Sequence, residues 1–431
     1  MQREPLGRDL LARHLPDRFI PIYKLCAFVA LPLAVLLAAA RLGLIIVDMA
    51  PRYAIVDFRY FYVAGVAMLE GLSAYGEGYI ALGQQIYDSS FLNAFFYSPT
   101  VLPLLAPLGL MPAGPASAGF MVVTAATIIA SVAGSGWILR DRPMLLDWRI
   151  VTAVAVVAGA GILRPSVSTL FLGNAKFLML AGLVLWMAGA LRGRAGDAWR
   201  GGEGWTGLGL QSVGLAIALM KPQYGLVLFL VCVAHAPWRA GAMGAVAVSG
   251  LLYAIAALPH GLFTYGFDFL SSIAAYSGRP ENSHEVLIGL YAMLTRLGVE
   301  GGVLMTLSFT AMAAGTVFWL LPEDPDPVAT ALLCVAIGIA VAPTHSTDAL
   351  LLLPILALLG TAGALAPKLL LAGSYLSLCL VDWILPPQLS LEATSLGLRN
   401  GVATVALIAT CMALAWTVRS TQLRTTMRAS L

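Results

Sequence analysis

Long apolar stretches recur along the whole chain and constrain its fold more than any other feature of the sequence. Hydrophobic residues make up 59% of the chain and charged residues 11%, whereas soluble domains carry about 25% charged residues. A membrane-spanning helix requires about 20 apolar residues, and fewer where it is buried among other helices. The sequence therefore predicts an all-α polytopic membrane protein with twelve spans, at 25–47, 117–138, 149–164, 175–191, 206–220, 223–237, 240–258, 302–321, 327–342, 347–361, 367–382 and 400–418.

The distribution of positive charge predicts the orientation of these spans. Lysine and arginine concentrate in the cytoplasmic connections of membrane proteins, and here most of them fall in alternate connections. We therefore expect one integral-membrane domain over 1–431, with a cytoplasmic N-terminus (1–24) leading into an uncleaved first span. Two large outer loops, 48–116 and 259–301, and a cytoplasmic tail, 419–431, complete the predicted topology.

The apolar segment 97–115 does not fit the pattern of a regular span. Proline removes a backbone donor and clashes with the preceding turn in a helix interior. We therefore interpret this segment as a re-entrant or broken element rather than a full span, because it contains five prolines: Pro99, Pro103, Pro107, Pro112 and Pro115.

Cysteine and charge counts exclude several classes of site. The five cysteines occur singly in apolar segments, without the spacing of a disulfide framework or a zinc site. No metal-ligand motif is present, so we expect no cofactor and no tightly bound metal, although the sequence leaves a loosely bound divalent ion open. The net charge of +3 is too small and too dispersed to indicate nucleic-acid binding.

Polar residues of unusual type gather in the connections predicted to lie outside. Asp57 begins the stretch Asp57-Phe58-Arg59-Tyr60-Phe61-Tyr62, directly after the first span. Ionisable groups at or inside a bilayer usually face a cavity or a partner, so they are candidates for function. The candidate site residues are Asp57, Tyr60, Tyr62, Tyr97, Arg164, Asn174, Lys176, Lys221, Gln223, Asn282, His345 and Asp348.

Each of these groups also has a purely structural interpretation. Arg59 and Lys221 could anchor helix ends at lipid headgroups, and the tyrosines could belong to an interfacial aromatic belt. His345 and Asp348, three residues apart at the start of a predicted span, could cap that helix. The functional interpretation depends on several such groups sharing one face of the membrane.

One carboxylate among several cations suits a particular reaction. A sugar attached to a lipid phosphate has a leaving group that departs as an anion, so no acid is needed to protonate it. Glycoside hydrolases, by contrast, use two carboxylates that flank the bond. A single carboxylate can take the proton of the acceptor hydroxyl, while cationic side chains stabilise the developing phosphate charge.

Five stretches with unusual polar residues follow one another between residue 57 and about residue 355. They are Asp57-Phe58-Arg59-Tyr60-Phe61-Tyr62, Phe96-Tyr97-Ser98-Pro99, Leu172-Gly173-Asn174, Met220-Lys221-Pro222-Gln223 and Pro343-Thr344-His345-Ser346-Thr347-Asp348. In this order they resemble the GT-C superfamily, specifically glycosyltransferase family 87. Two departures from that pattern are Asn174, where glutamine is common, and the absence of an aromatic residue before Asp348.

The resemblance implies a GT-C-type fold with about 12 transmembrane helices and a long first outer loop carrying interfacial helices. It also implies an inverting hexosyltransferase that moves mannose or a related sugar from a polyprenyl-phosphate donor to a lipid or envelope glycan acceptor. The implied setting is a bacterial inner membrane, among membrane lipids, with the site facing the periplasm or exterior. Asp57 would be the general base, and the other candidates would bind the donor phosphate (Lys221, His345, Arg164, Lys176) or the sugar and acceptor (Tyr60, Tyr62, Tyr97, Asn174, Gln223, Asn282, Asp348).

A transporter or flippase of a lipid-linked sugar is the main alternative from another class. Such a protein would carry its charges at mid-depth and often contains internal repeats. Here the charges fall at span ends and no repeat is apparent, which favours the enzyme. A structural membrane scaffold would leave the one-sided cluster of polar residues without a purpose.

Overall fold

The computed structural model describes residues 9–49, 57–88, 91, 93–194, 202–277, 287–299, 302–342, 344–384 and 393–430. In these ranges the chain is helical, and bridges between extended residues occur only as isolated pairs. The predicted all-α class is therefore confirmed for this part of the chain. The first nine helices are α1 (Ile20–Met49), α2 (Phe58–Leu69), α3 (Glu77–Ile86), α4 (Leu102–Gly109), α5 (Ala113–Leu139), α6 (Trp148–Val156), α7 (Arg164–Leu172), α8 (Lys176–Arg194) and α9 (Gly202–Ala218).

The second half of the chain contains nine more described helices. Short 3-10 helices occupy Ala12–His14, Asp17–Phe19, Pro99–Val101, Leu258–His260 and Ser346–Leu352, and a π-helix occupies Val157–Ile162. The remaining α-helices are α10 (Pro222–Ala234), α11 (Ala236–Ala257), α12 (Leu262–Ser277), α13 (Gly289–Arg296), α14 (Gly302–Leu320), α15 (Pro327–Val341), α16 (Ile355–Leu359), α17 (Leu365–Ile384) and α18 (Ala393–Ser430).

Five helices in the described ranges are long and apolar enough to cross a membrane, which agrees with an integral membrane protein. A sixth candidate is the pair Trp148–Ile162 and Arg164–Leu172, which is bent by 46°. The other apolar helices are shorter, so the count of twelve spans stays a prediction. The five candidates are Asp17–Asp48, Ala113–Leu139, Lys176–Gly193, Ala236–His260 and Asn400–Arg419.

The bend between α6 and α7 has a local cause. The chain passes through the π-helix Val157–Ile162 and then through an extended residue, Leu163. A π-helical turn and a proline both interrupt the regular helix ladder, and Pro165 follows directly. Because of this break, α7 starts in a new direction and its C-terminal end approaches the start of α2.

Two predicted segments have less regular structure than a span. The predicted span 347–361 is not a continuous helix, because it consists of the 3-10 helix Ser346–Leu352 and the short α16, with Pro354 between them. The segment 97–115 forms a 3-10 turn and the eight-residue α4, then breaks before α5. Its helical part is too short to cross a bilayer alone.

Helix α2 is buried rather than lipid-facing, and it packs closely on α4. Gly65 of α2 and Gly109 at the end of α4 make this approach possible. A Cβ on Gly65 would lie 2.4 Å from the Leu105 carbonyl oxygen, and one on Gly109 would lie 2.7 Å from the Gly65 carbonyl carbon. Aromatic rings fill the space beside α2, where Phe61 lies 4.9 Å from Tyr97 between ring centroids. The segment that begins with Asp57 is therefore held in the protein core.

Connections between helices meet at two ends of the molecule. At one end, Leu10 N–H donates to the Met144 carbonyl at 3.1 Å, and Arg142 forms a bidentate pair with Asp326 at 2.6 and 2.7 Å. These are connections that the charge pattern assigns to the cytoplasm. The 15 residues of α15 begin beside this pair, so the far end of α15 lies about 22 Å away at about 1.5 Å per residue.

The other end holds the segments that carry the candidate site residues. Ile288 N–H donates to the Thr344 carbonyl at 2.8 Å, next to the C-terminal end of α15. Asp57 contacts the end of α7, and the start of α8 contacts the 3-10 helix Ser346–Leu352. Asp57, Lys176 and Asp348 therefore lie at one end, opposite the Arg142–Asp326 pair.

Candidate active site

Asp57 lies immediately before α2 and is fixed against the end of α7. That helix ends in a Schellman motif, in which Gly173 has φ +65° and Asn174 N–H donates to the Thr169 carbonyl at 3.1 Å. Asp57 N–H donates to the Leu172 carbonyl at 2.8 Å, and Asn174 Nδ2 donates to Asp57 Oδ2 at 2.5 Å. The second carboxylate oxygen, Oδ1, lies outside these two contacts.

A second hydrogen bond fixes which way the Asn174 side-chain amide points. Its side-chain oxygen accepts a hydrogen bond from Lys176 N–H at 3.1 Å, which is the position of a capping residue for α8. Because the oxygen is used in this way, the NH₂ group of the same amide must point at Asp57. One buried side chain thus both starts α8 and holds the carboxylate.

Lys176 forms a buried ion pair with Asp348. The Lys176 side chain is 2% exposed and that of Asp348 is 0% exposed, and Nζ lies 2.5 Å from Oδ1. Lys176 Nζ also donates to Thr347 Oγ1 at 2.6 Å, while Asp348 Oδ2 accepts from His345 N–H at 2.8 Å. His345 and Asp348 form a reciprocal capping box for the 3-10 helix. The capping role that the sequence suggested for these two residues is therefore present in the structure.

Lys221 lies in the turn between α9 and α10 and is half-buried. Its ammonium group stands 5.5 Å from the ring centroid of Tyr97 and 5.2 Å from that of Tyr224, within the range of cation–π attraction. Burial lowers the pKa of Lys221 to about 8, against the opposing effects of the Asp348 and Asp57 charges. The binding of an anion would therefore stabilise the protonated form of Lys221.

The Asp57 carboxyl has the properties of a base. Burial raises its pKa above the usual range for aspartate, because the charged form loses hydration. The Asn174 hydrogen bond and three nearby cations oppose this rise without cancelling it: Lys176, Lys221 and Arg59. We call Asp57, Asn174, Lys176, Lys221 and Asp348 the polar cluster.

The predicted tyrosines lie around the polar cluster, and the hydroxyl groups of Tyr60 and Tyr62 form hydrogen bonds. The Tyr60 hydroxyl accepts a hydrogen bond from Asn93 Nδ2 at 3.0 Å, and the Tyr62 hydroxyl donates to the Met111 carbonyl at 2.9 Å. Tyr97 lies with its ring against Lys221. Tyr62 thus joins α2 to the segment before α5, at a distance of more than one helical turn from Asp57.

Three predicted residues lie apart from the polar cluster or outside the described chain. Arg164 is the first residue of α7, whereas Asp57 contacts the last, so about 12 Å of helix separates them. Gln223 lies in the first turn of α10, where its backbone packs against Gly338 of α15. Asn282 lies outside the described residues.

Sequence reasoning did not assign three residues that contact the polar cluster. Arg59 acts electrostatically on Asp57, Thr347 bonds Lys176 and Tyr224 lies against Lys221. Arg59 and Thr347 stand within motifs already singled out, whereas Tyr224 is one residue after Gln223. In the described part of the chain, no three His, Cys, Asp or Glu side chains are placed to hold a metal ion.

Comparison with known proteins identifies a related family. A family model described as "Glycosyltransferase family 87" matches residues 95–343, more than half of the chain. The matched range includes Tyr97, Asn174, Lys176 and Lys221, and it begins after Asp57 and ends before Asp348. A search of curated proteins found no significant match.

Proposed function

The chain belongs to glycosyltransferase family 87. We therefore propose that it transfers a hexose from a polyprenyl-phosphate donor, and that this hexose is mannose or a related sugar. The acceptor is a lipid or envelope glycan on the outer face of the membrane, and the reaction inverts the anomeric carbon. The observation that carries this proposal is the position of one half-buried carboxylate, Asp57, beside Lys221 and Lys176. That combination provides one base and a site for an anionic leaving group.

In the proposed step, an acceptor hydroxyl oxygen attacks the anomeric carbon from the face opposite the phosphate. The new C–O bond forms while the bond from that carbon to the phosphate oxygen breaks. The electron pair leaves on the phosphate oxygen, and the hydroxyl proton passes to Asp57. General bases placed in this way contribute about 10²–10⁴-fold to a rate.

Asp57 suits the role of base for three reasons. Its raised pKa makes it a stronger proton acceptor than an exposed aspartate. Asn174 and the Leu172 carbonyl hold it in one orientation, so no reorganisation is needed at the moment of reaction. Its Oδ1 atom lies outside those two contacts and is the atom that would receive the proton.

Lys221 is the side chain that we assign to the donor phosphate. Lys176 already faces Asp348, so its charge is largely balanced, whereas Lys221 contacts two aromatic rings. Charge-assisted hydrogen bonds to phosphate are roughly twice as strong as neutral ones. We therefore assign Asp348 to holding Lys176 rather than to the sugar, and we place His345 at the edge of the phosphate site.

The remaining candidate residues have proposed roles that follow from their positions. Tyr60 and Tyr97 lie around the polar cluster and Asn174 belongs to it, so these three would contact sugar or acceptor. Gln223, Tyr62 and Asn282 are further candidates. Arg164 lies at the opposite end of α7 and would contact only the part of the donor that is nearest to the prenyl chain. The membrane is proposed to be a bacterial inner membrane with the polar cluster facing the periplasm, which the charge distribution supports.

The test is a transfer assay with the purified full-length chain in lipid vesicles. Radiolabelled polyprenyl-phosphate mannose is the donor, and total lipid extract from the native host supplies the acceptor. We expect release of free polyprenyl phosphate and a mannosylated lipid whose anomeric configuration is opposite to that of the donor. A donor that crosses the membrane intact would instead indicate a transporter, and retained configuration would contradict a single displacement.

A further inference from the structure

A cleft lies between α12 and the segment 93–97, on the side of Tyr97 away from Lys221 in the chain of contacts Tyr75–Tyr97–Lys221. Its volume is about 250 Å³. Ligand pockets for drug-sized molecules are roughly 300–1,000 Å³, so this cleft suits a smaller ligand. Its walls include the Tyr75 ring, the Asn93 carboxamide, the Asp268 carboxylate and the hydroxyl groups of Ser271 and Ser272, with the methyl group of Ala275 beside them.

The walls of the cleft are firmly attached to the protein. Ser272 Oγ donates to the Phe95 carbonyl at 2.7 Å and is buried. Tyr265 of α12 packs on Tyr75, with ring centroids 5.1 Å apart, and the Tyr75 hydroxyl donates to the Tyr97 carbonyl at 2.7 Å. Because Tyr97 also contacts Lys221, the Tyr75 wall of the cleft is connected to the polar cluster through Tyr97.

Asn93 carries an unused hydrogen-bond acceptor at this place. Its Nδ2 donates to the Tyr60 hydroxyl at 3.0 Å, whereas its Oδ1 is buried and has no hydrogen-bond partner in the described structure. Buried acceptors are normally satisfied, so an exception requires an explanation. A ligand that brings a hydroxyl donor into the cleft would satisfy Asn93 Oδ1.

The charge of the cleft selects between the possible ligands. Asp268 is half-buried and takes no part in the ion pairs found among the described residues. A carboxylate in the wall repels a phosphate group but accepts hydrogen bonds from neutral hydroxyl groups. The donor phosphate therefore belongs at Lys221, and a neutral polyol belongs in the cleft.

We propose that this cleft binds one sugar ring of the acceptor, so that the acceptor is a glycan rather than a bare lipid alcohol. The identification as acceptor rests on the proposed transfer reaction. Asn93 bonds Tyr60, which is one helical turn after Asp57 on α2. With one sugar ring of the acceptor in the cleft, the neighbouring sugar of the same glycan would present its hydroxyl group to the Asp57 carboxylate.

The test measures sugar binding directly, without turnover. Saturation-transfer difference NMR is recorded on the full-length chain in nanodiscs with the methyl glycosides of mannose, glucose, galactose and arabinose. We expect at least one glycoside to bind. Asp268→Asn should weaken its affinity about tenfold or more, because a charged hydrogen-bond acceptor is lost, and Ala275→Trp should abolish binding by filling the cleft.

Leu270→Trp is the matched control, because it adds the same side chain to α12 at an exposed position that does not line the cleft. It should leave binding unchanged. Absence of binding by all four glycosides, or equal binding in wild type, Asp268→Asn and Ala275→Trp, would overturn the proposal. Asp57→Asn separates the two proposals, since it should retain glycoside binding even while transfer is lost; a failure of the transfer reaction alone would leave the binding result standing.

Discussion

Asp57 and Lys221 carry opposite charges in half-buried positions, and burial shifts the pKa of each toward neutrality. For Asp57 the pKa rises, and for Lys221 it falls to about 8. Asp57 is therefore a better proton acceptor than an exposed aspartate, and the binding of an anion would favour the protonated form of Lys221. Functional sites commonly show such shifts.

The pH dependence of transfer should report both groups. Below its raised pKa, Asp57 holds a proton and cannot accept another, so kcat/KM should rise with pH through that value. Above about pH 8 Lys221 loses its charge, so kcat/KM should fall again. The measurement is a pH profile of transfer at subsaturating donor.

Lys221→Arg identifies the alkaline limb of that profile. Arginine remains charged far above pH 8, so the fall on the alkaline side should disappear while the acid side stays unchanged. Some loss of absolute rate is expected, because arginine and lysine differ in shape. An unchanged alkaline limb in this variant would contradict the role of Lys221.

Residue identities in the polar cluster could be singled out from the sequence, but their pairing could not. The sequence predicts Asn174 and Asp348 as sugar contacts but gives no sign that Asn174 bonds Asp57 or that Asp348 pairs with Lys176. These contacts join segments far apart in the chain, and single-sequence patterns carry no information on which distant side chains meet. Arg59 was visible within its motif, although nothing in the sequence distinguished it from a headgroup anchor.

At the scale of elements, the position of Asp57 depends on one helix end and one close helix–helix contact. The Schellman motif of α7 presents the Leu172 carbonyl to Asp57 N–H, and the close packing of α2 on α4 holds the helix that follows Asp57. Both depend on glycine, at Gly173 for positive φ and at Gly65 for close approach. Changes in these glycines should therefore be felt at the site.

Gly65→Ala should disturb the site without altering any polar group. Its Cβ would lie 2.4 Å from the Leu105 carbonyl oxygen, so α2 must move away from α4. Overpacking of this kind typically costs about 1–3 kcal/mol, and the displacement of α2 should also lower transfer. Thermal unfolding in detergent and the transfer rate are the two measurements.

Gly119→Ala is the control for that variant. Gly119 lies in α5, and apart from its chain neighbours and the backbone of its own helix no atom lies within 4 Å of a Cβ built there. Alanine should be tolerated or slightly stabilising, because it has a higher helix propensity than glycine. Equal behaviour of the two variants would contradict the close packing of α2 on α4.

Most predicted spans coincide with helices in the structure, including the short span 327–342, which is α15, whereas the run 347–361 does not. The spans expected at 25–47, 117–138 and 400–418 coincide with candidate membrane helices. The run 347–361 has the same leucine-rich composition, but the capping box at its start and Pro354 within it produce short helices instead. Hydropathy does not register hydrogen bonds that end or shorten a helix.

At the scale of the whole molecule, the two ends of the helix assembly differ in chemistry. One end carries the Arg142–Asp326 pair and the other carries the polar cluster. The contacts at each end join connections that alternate along the chain, as a membrane protein of regular topology requires. The charge pattern assigns the Arg142 end to the cytoplasm.

Cysteine labelling tests this sidedness. In a variant with the five native cysteines replaced, a cysteine is introduced at Gln85 of α3, which is exposed, or at Asp141, whose side chain is 63% exposed. A membrane-impermeant maleimide should label Gln85→Cys in intact cells and Asp141→Cys only after permeabilisation. The reverse pattern would place the polar cluster in the cytoplasm and remove the proposed periplasmic acceptor.

The central claim is that Asp57 accepts the proton of the acceptor hydroxyl, and Asp57→Asn tests it most directly. The substitution keeps the size of the side chain and removes the base. Glu70→Gln at the other end of α2, where the side chain is exposed, is the control and should transfer like wild type. With normal membrane insertion and unchanged donor binding, we predict that Asp57→Asn lowers kcat by about 10²–10⁴-fold, whereas near-normal transfer by that variant would contradict the account.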